Sequence, residues 1–365
     1  STPLYSSAAS DVYKRQLDMH PRHILLLVGS PTDAFHCELS EMYTVDCANA
    51  LSRIELYRFS YAHISPDGAW CFPKSLSLHD RQTAQKYETV EALAIIASMG
   101  VDCGLPQLFC LRGMTECRAI FRILDIPFIG NNPLQMGLSA DKVLARNIVS
   151  ASGVGVPEGE VITKALCSSG HSSTVSYPVV VKPVGSDNSH GVSLVTDPTQ
   201  LADAIADAHF YHEQVLIEKY IELGREVRCG IVQRAQGLVW LPLEEYAVDP
   251  NKRPIRSHSD KLVRDRDELL GFPATALDLA WIVDQEDPVT QIVHSAALKC
   301  YSALGCRHYG LFDFRVDPSG VPWFLEAGLY CSFSPRSVIV KMCEAHGISL
   351  ENYYSESLQL AINGG

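Results

Sequence analysis

The apolar positions of this chain fall in short blocks separated by polar, glycine-bearing punctuation. HILLLVGS (His23 to Ser30) is an apolar run ending in glycine and reads as a buried parallel strand. Ser40 to Leu51 suits a helix. ETVEALAIIASM (Glu88 to Met99) predicts another, with Val90, Leu93, Ala94 and Ala97 on one stripe and Gly100 as its stop. VDCGLPQLF then predicts a strand, Met114 to Leu124 a helix, and IPFIG a further strand. Alternation of this kind implies an open α/β unit over residues 22–136.

The pattern restarts at Ser139, which can cap a helix carrying Val143, Leu144 and Ile148 inward, with Gly153 just past its end. YPVVVKPVGSDNSHGVSLV (Tyr177 to Val195) predicts a strand, a loop and a second strand. A helix over Leu201 to Phe210 and the strand VLIEKYI complete a small α+β unit over 137–225. Beyond it, EVRCGIV, LVWL, GLFDFRV and VPWFLEA predict a mostly antiparallel sheet with helices over 226–365, and the turn DPSG joins the last two strands. Residues 249–270 interrupt this unit with a long polar loop carrying Lys252, Arg253, Arg256, Lys261, Arg264 and Arg266. That loop reads either as solvated charge or as a lid that grips an anion.

Composition narrows the class. At 365 residues the chain is long for one domain, and 47% hydrophobic residues supply ample core. A net charge of -12 argues against a general nucleic-acid or anionic-membrane binder, although local basic sites for a small anion stay open. No apolar run approaches bilayer length. The 12 cysteines form no CxxC pair and no zinc-spaced cluster, so they read mostly as reduced, small hydrophobes of a cytoplasm or a reducing organelle such as a plastid. Residues 1–21 are polar and unpatterned, and are expected to be a leader outside the fold.

Neither GxxxxGK[ST] nor GxGxxG is present, yet other residues converge on phosphate and metal. With Asp317 to Gly320 as the hairpin loop, Val316 pairs with Val321, and Asp313, Arg315 and Glu326 share one face. Phe312, Phe314, Trp323 and Leu325 then share the other. Two carboxylates on one face repel unless one is protonated or a cation lies between them, which suits Mg²⁺ shared with phosphates. A one-residue slip would undo this pairing. Lys142 falls in the first turn of its helix, where the dipole disfavours a cation. Lys182 ends a buried strand, where an ammonium needs an anionic partner or a wet cleft. A salt bridge to a nearby acid answers that need as well as a phosphate does.

In order and spacing these segments resemble the ATP-grasp superfamily, in its D-alanine–D-alanine ligase branch, over nearly everything after residue 22. The resemblance implies a three-domain fold, α/β and α+β, with ATP and Mg²⁺ as cofactors. It implies that Lys142 in SADK and Lys182 in VKP reach the nucleotide phosphates, under a loop holding Ser189 and Gly191. In EKYI, Glu218 would accept from the adenine amino group, with Tyr220 and the Ile221 backbone beside the ring. Glu226 would bind ribose and Lys261 the γ-phosphate. Asp313 and Glu326 would hold metal, Ser337 would orient an amino acid, and Glu38 in CELS loosely matches a residue that binds an ammonium. Members activate a carboxylate as an acyl phosphate that an amine attacks, releasing ADP and phosphate. Many dimerise through the N-terminal domain, though nothing in these residues requires a homodimer.

Departures from the dipeptide ligases concern the acceptor. Leu311 stands where they carry arginine, with Arg315 two residues beyond Asp313 on the same face as a shifted charge. Gly328 replaces their third metal ligand, an asparagine. Their HGxxGEDG segment is replaced by LPQLFCLRGMTECRAIF. The segments GREVRCGIV, PLEEYAVDP with PIRSHSDKL, and GCRHYGLFDFRVDPSGVPWFLEAGLYCSF are similar to the ligases of mycosporine-like amino acid biosynthesis. Those join serine or threonine to mycosporine-glycine, giving products such as shinorine or porphyra-334. The resemblance therefore implies small-molecule substrates, mycosporine-glycine and an amino acid, with neither nucleic acid nor membrane as partner. A dipeptide ligase and a non-catalytic nucleotide-binding homologue are the alternatives.

Overall fold

The computed structural model describes residues 21–52, 54–164, 173–186, 189–256, 263–264, 270–271 and 279–364. Residues 1–20 of the expected leader and Lys261 therefore lie outside the described residues. Three principal sheets follow one another along the chain.

The first comprises β1 (Arg22–Gly29), β2 (Tyr57–Ile64), β3 (Trp70–Cys71), β4 (Lys86–Tyr87) and β5 (Cys103–Pro106), in the order β4-β3-β2-β1-β5. β1 runs parallel to β2 on one side and β5 on the other. Its continuous apolar run is explained by cover on both faces. Ile24, Leu26 and Val28 join a cluster with Cys47, Leu51, Tyr354 and Leu358, while Leu25 and Leu27 pack with Ala92, Ile96 and Phe121.

Helix α1 (Ala34–Leu51) begins six residues before the expected Ser40, because the Asp33 carboxylate accepts from His36 N and caps it there. α2 (Leu78–Thr83) precedes α3 (Thr89–Ser98), which keeps the expected span within a residue at each end. Its inner face differs: Ala92 and Ile96 are buried, whereas Val90, Ala94 and Ala97 are exposed. A π turn over Gly113–Cys117 leads into α4 (Arg118–Ile123). IPFIG forms a single bridge, Phe128 to Gly104, rather than a strand. Pro127 has no N–H to extend a ladder, and Gly130 turns the chain away at φ +107°.

α5 (Pro133–Ala140) absorbs Ser139, whose hydroxyl donates to the Met136 carbonyl. Asp141 is the cap of α6 (Lys142–Ala151), accepting from the N–H groups of Val143 and Leu144. The buried stripe is accordingly Lys142, Ala145 and Val149; Leu144 is exposed and Val143 and Ile148 are half-buried. The second sheet holds β6 (Gly159–Thr163), β7 (Val179–Pro183), β8 (Ser193–Val195) and β9 (Gln214–Lys219) in the order β6-β9-β7-β8. α7 (Leu201–Tyr211) covers it, burying Val179, Val181, Ile205 and Ala208 together.

The third sheet is built on β10 (Arg225–Arg234), with β11 (Gly237–Trp240), β12 (Glu244–Tyr246), β15 (Ala280–Ile282), β16 (Tyr309–Val316) and β17 (Pro322–Gly328). A separate ladder joins β13 (Val263–Arg264) to β14 (Leu270–Gly271) inside the long polar segment. α8 (Pro288–Ala303) packs on this sheet through Val293 and Ala297. α9 (Val338–Ala345) and α10 (Leu350–Ile362) return to the first sheet, where Tyr353, Tyr354 and Phe333 fill its second face. Among the described residues, no helix is long and apolar enough to cross a membrane.

The β16–β17 register departs from expectation. Val316 pairs with Pro322, not Val321, because the Asp317 carboxylate draws in the N–H groups of Ser319 and Val321 and lengthens the turn by one residue. That slip alone would point Glu326 away from Asp313. A bulge at Leu325 restores the phase, so that Asp313 pairs with Glu326 directly. Below the bulge the faces exchange. Phe324 joins Phe314 in the core, Trp323 lies opposite Arg315, and Leu325 lines the cleft described next.

Candidate active site

A cleft opens between the second and third sheets. It is lined by Lys142, Lys182, Glu218, Ile221, Glu226, Asp313, Arg315 and Glu326, with Ser186, Ser189, Tyr220 and Arg256 at its margins. Residues spread over nearly 200 positions of sequence thus line one space.

Lys182 is 7% exposed, and its Nζ lies 2.5 Å from Glu218 Oε1 on the neighbouring strand β9. The cation at the end of a buried strand therefore has an acid, and both face the cleft. The β7–β9 register puts Lys182 beside Leu216 and Val180 beside Glu218, so the two side chains are diagonal neighbours. The Lys142 N–H donates to the Val184 carbonyl just past β7, and its ammonium donates to the Ser186 carbonyl. The start of α6 and the loop after Lys182 are thereby joined. Ser189 and Gly191 both adopt positive φ in that loop. A Cβ at Gly191 would stand 2.7 Å from the Tyr211 ring, which accounts for glycine there.

On the third sheet, β10 lies beside β16 with Glu226 opposite Arg315 and Arg228 opposite Asp313. Arg315 Nη2 donates to Glu226 at 2.6 Å and to the Pro254 carbonyl at 2.9 Å; its Nη1 donates to the Ile221 carbonyl at 3.2 Å. Its guanidinium also lies 5.1 Å from the Tyr220 ring centre. Arg315 thus ties the β9–β10 connection to the base of the long polar segment. It does not supply charge beside Asp313 as expected. Arg228 does, its Nε and Nη2 reaching the two Asp313 oxygens at 2.5 and 2.7 Å.

Arg228 is a cation to which the sequence motifs gave no role. It lies 5.5 Å from the Tyr246 ring centre, with Arg256 3.5 Å from that centre on the segment beyond β12. The Tyr246 hydroxyl donates to Glu244 at 2.5 Å. Burial pushes the Glu244 pKa up, against the pull of Arg228 and of that hydrogen bond. Period-two alternation in GREVRCGIV, which sets Arg228 on the face of Glu226, was the available signal for Arg228.

Two expected residues lie elsewhere. Glu38 is half-buried on α1, and Ser337 begins α9 with its hydroxyl 4.0 Å from Cys331 Sγ. Neither is among the residues lining the cleft. Beside Ser337, Arg336 pairs with Asp46 on α1 at 2.5 Å, fastening the loop after β17 to the first sheet's helix.

Two antiparallel sheets closing on a strand lysine, a helix-end lysine and paired carboxylates define an ATP-grasp protein. Solved structures agree on the fold. The D-Ala:D-Ser ligase VanG of Enterococcus faecalis superposes with a TM-score of 0.72 at 20% identity, covering 94% of this chain and 100% of that one. The D-alanine–D-alanine ligase of Coxiella burnetii gives 0.70 at 18% identity, with 94% and 95% covered. The family model described as D-ala D-ala ligase C-terminus matches residues 148–358, more than half the chain. The chain belongs to the D-alanine–D-alanine ligase family, and it is an ATP-dependent ligase that forms carbon–nitrogen bonds. Among curated relatives, a D-alanine–D-alanine ligase of Bacillus anthracis is 28% identical over 66% of this chain and 71% of its own length. An uncharacterised protein of Sinorhizobium fredii, y4sG, is 27% identical over 68% and 70%.

Proposed function

We propose that this ligase joins an amino acid to a bulky cyclohexenone acceptor, mycosporine-glycine, by phosphorylating the acceptor oxygen and letting the amine displace it. The observation that carries this reading is the pairing of Leu311 with Gly328. These two lie one alternation beyond Asp313 and Glu326 on the same face, where dipeptide ligases carry arginine and asparagine. An apolar side chain and an empty position suit a ring better than a free amino-acid carboxylate. Serine or threonine is the amine donor this resemblance implies.

A second reading, D-alanine–D-alanine ligation, is favoured by the names of the curated relatives, which point more directly to it. Incubating the purified chain with ATP, Mg²⁺ and each acceptor–amine pair separates the two by product mass. Release of ADP with D-alanine and none with mycosporine-glycine overturns the first reading.

The cleft fits ATP and Mg²⁺: carboxylates stand opposite each other at Asp313 and Glu326, and two buried lysines approach them, Lys182 from the second sheet and Lys142 from the start of α6. When bound, the nucleotide supplies the phosphoryl group and the cation neutralises its charge. Lys182 and Glu218 would part, the lysine taking phosphate and the carboxylate the adenine amino group. Lys142 would hold the phosphate loop through Ser186. Arg228 would release Asp313 to the metal and turn its charge toward the acceptor oxygen. Glu226 would hold ribose, with Arg315 fixing its direction. Catalysis then rests on positioning and charge, with no covalent enzyme intermediate. We also assign the three sheets to three units over 22–136, 137–225 and 226–365.

A further inference from the structure

The first sheet carries a second group of polar side chains that the nucleotide cleft does not use. His63, the penultimate residue of β2, is 3% exposed. Its Nε2 lies 2.8 Å from Glu41 Oε1 and 3.8 Å from Cys37 Sγ. The Cys37 sulfur is 3.4 Å from that same Glu41 oxygen. Cys37 and Glu41 are four residues apart on α1, so one helix face presents both to the imidazole.

These separations match a metal polyhedron. A tetrahedral zinc-class ion, with bonds of about 2.3 Å to sulfur and about 2.1 Å to nitrogen and oxygen, holds its ligand atoms roughly 3.4 to 3.6 Å apart. The three atoms therefore need to move by only a few tenths of an ångström to enclose one. Two contacts hold the group in this arrangement. His63 Nδ1 is buried on the side of its cross-strand neighbour Cys71, which leaves Nε2 turned toward Glu41 and Cys37. Glu41 Oε1 also takes Arg81 Nη1 at 2.5 Å, a contact that a cation at this point would replace. The location fits as well, since ligands of open α/β sheets gather at the carboxyl ends of parallel strands.

We propose that Cys37, Glu41 and His63 form a binding site for one zinc-class divalent cation, with the fourth position open to water or an incoming ligand. Uptake displaces the Cys37 thiol proton and any proton on His63 Nε2, and leaves both as ligands. Arg81, whose side chain is 22% exposed, swings from Oε1 toward solvent or the second Glu41 oxygen. Cys71 Sγ, 3.7 Å from Lys86 Nζ, is the cross-strand neighbour of His63 and is not one of the three ligands. None of the three ligands lines the nucleotide cleft, so this cation is distinct from the Mg²⁺ of catalysis.

The test uses the full chain, stripped with chelator and titrated with Co²⁺ and then Zn²⁺. The expected result is one equivalent of Co²⁺ with a thiolate-to-cobalt charge-transfer band, displaced by Zn²⁺. Cys37→Ser abolishes the band, and Glu41→Gln weakens Zn²⁺ at least tenfold, no less than the loss of an outer-shell partner of a metal ligand costs. ATP binding by each variant reports whether it has folded, and Glu41→Gln carries the test if Cys37→Ser has not. Absence of a stoichiometric band, or a band unchanged in Cys37→Ser, overturns the proposal whatever the ligase activity.

Discussion

Asp313 and Glu326 stand directly opposite each other on β16 and β17, and a bulge at Leu325 is what keeps them there. Arg228 meets the Asp313 carboxylate through two nitrogens. Glu326→Gln is expected to lower turnover at least about a hundredfold. Asp313→Asn should lose turnover too, and also roughly 3 kcal/mol of stability, because it leaves a buried guanidinium without its counter-charge. Steady-state kinetics with denaturant unfolding check both; an undiminished rate in Glu326→Gln removes its metal role.

The Lys182–Glu218 pair predicts a compensation. Lys182→Met strands a carboxylate that is 4% exposed, and should destabilise the chain by about 3 kcal/mol. Adding Glu218→Leu should return most of that stability, since apolar replacement of a buried pair is often neutral. Calorimetric titration with ATP should show weak or absent binding in both variants. Recovery of ATP affinity in the double variant would contradict a phosphate role for Lys182.

Gly328 leaves room for a side chain to start. A Cβ built there has its nearest neighbours at 3.8 Å on Tyr330 and 4.0 Å on Leu311, ordinary van der Waals contacts. Gly328→Asn is expected to fold normally and to lower the Mg²⁺ concentration giving half-maximal activity, by adding an oxygen ligand on the Glu326 face. An unchanged Mg²⁺ dependence would show that the metal does not approach this position.

Glu244 gives a pH dependence. Burial raises its pKa above the ordinary 4.5, so the folded chain holds this proton more tightly than the unfolded one. Its contribution is complete below 4.5 and is lost as pH rises through the folded value. Glu244→Gln cannot ionise, so its stability relative to the parent should climb from pH 4.5 toward 8. Urea unfolding at several pH values measures this; a constant difference contradicts it.

The buried β1, the order of the lysines and the carboxylate hairpin were legible because each has a local signature: an unbroken apolar run, a cation closing a strand, period-two alternation. Helix boundaries shifted where a side-chain cap outweighed apolar spacing, as at Asp33 and Asp141. The inward face of α3 is not legible in the sequence because nearly every residue there is apolar, and only the neighbouring elements choose among them. Arg228 escaped notice because its value depends on the strand beside it. Alternation named its face, and pairing with β16 put Asp313 opposite.

The residue types and their order along the chain determined that cations and acids would be available for a nucleotide, since burial of apolar runs forces strands wherever such residues punctuate them. Which of them touch was decided by tertiary structure alone. Register between strands is set by turns, bulges and the sheets packed against them, and shifting one strand by a single residue turns every side chain over. That is why Asp313 found both Glu326 and Arg228, why Arg315 was taken up by Glu226 and two carbonyls, and why Cys37, Glu41 and His63 came together from a helix and a strand.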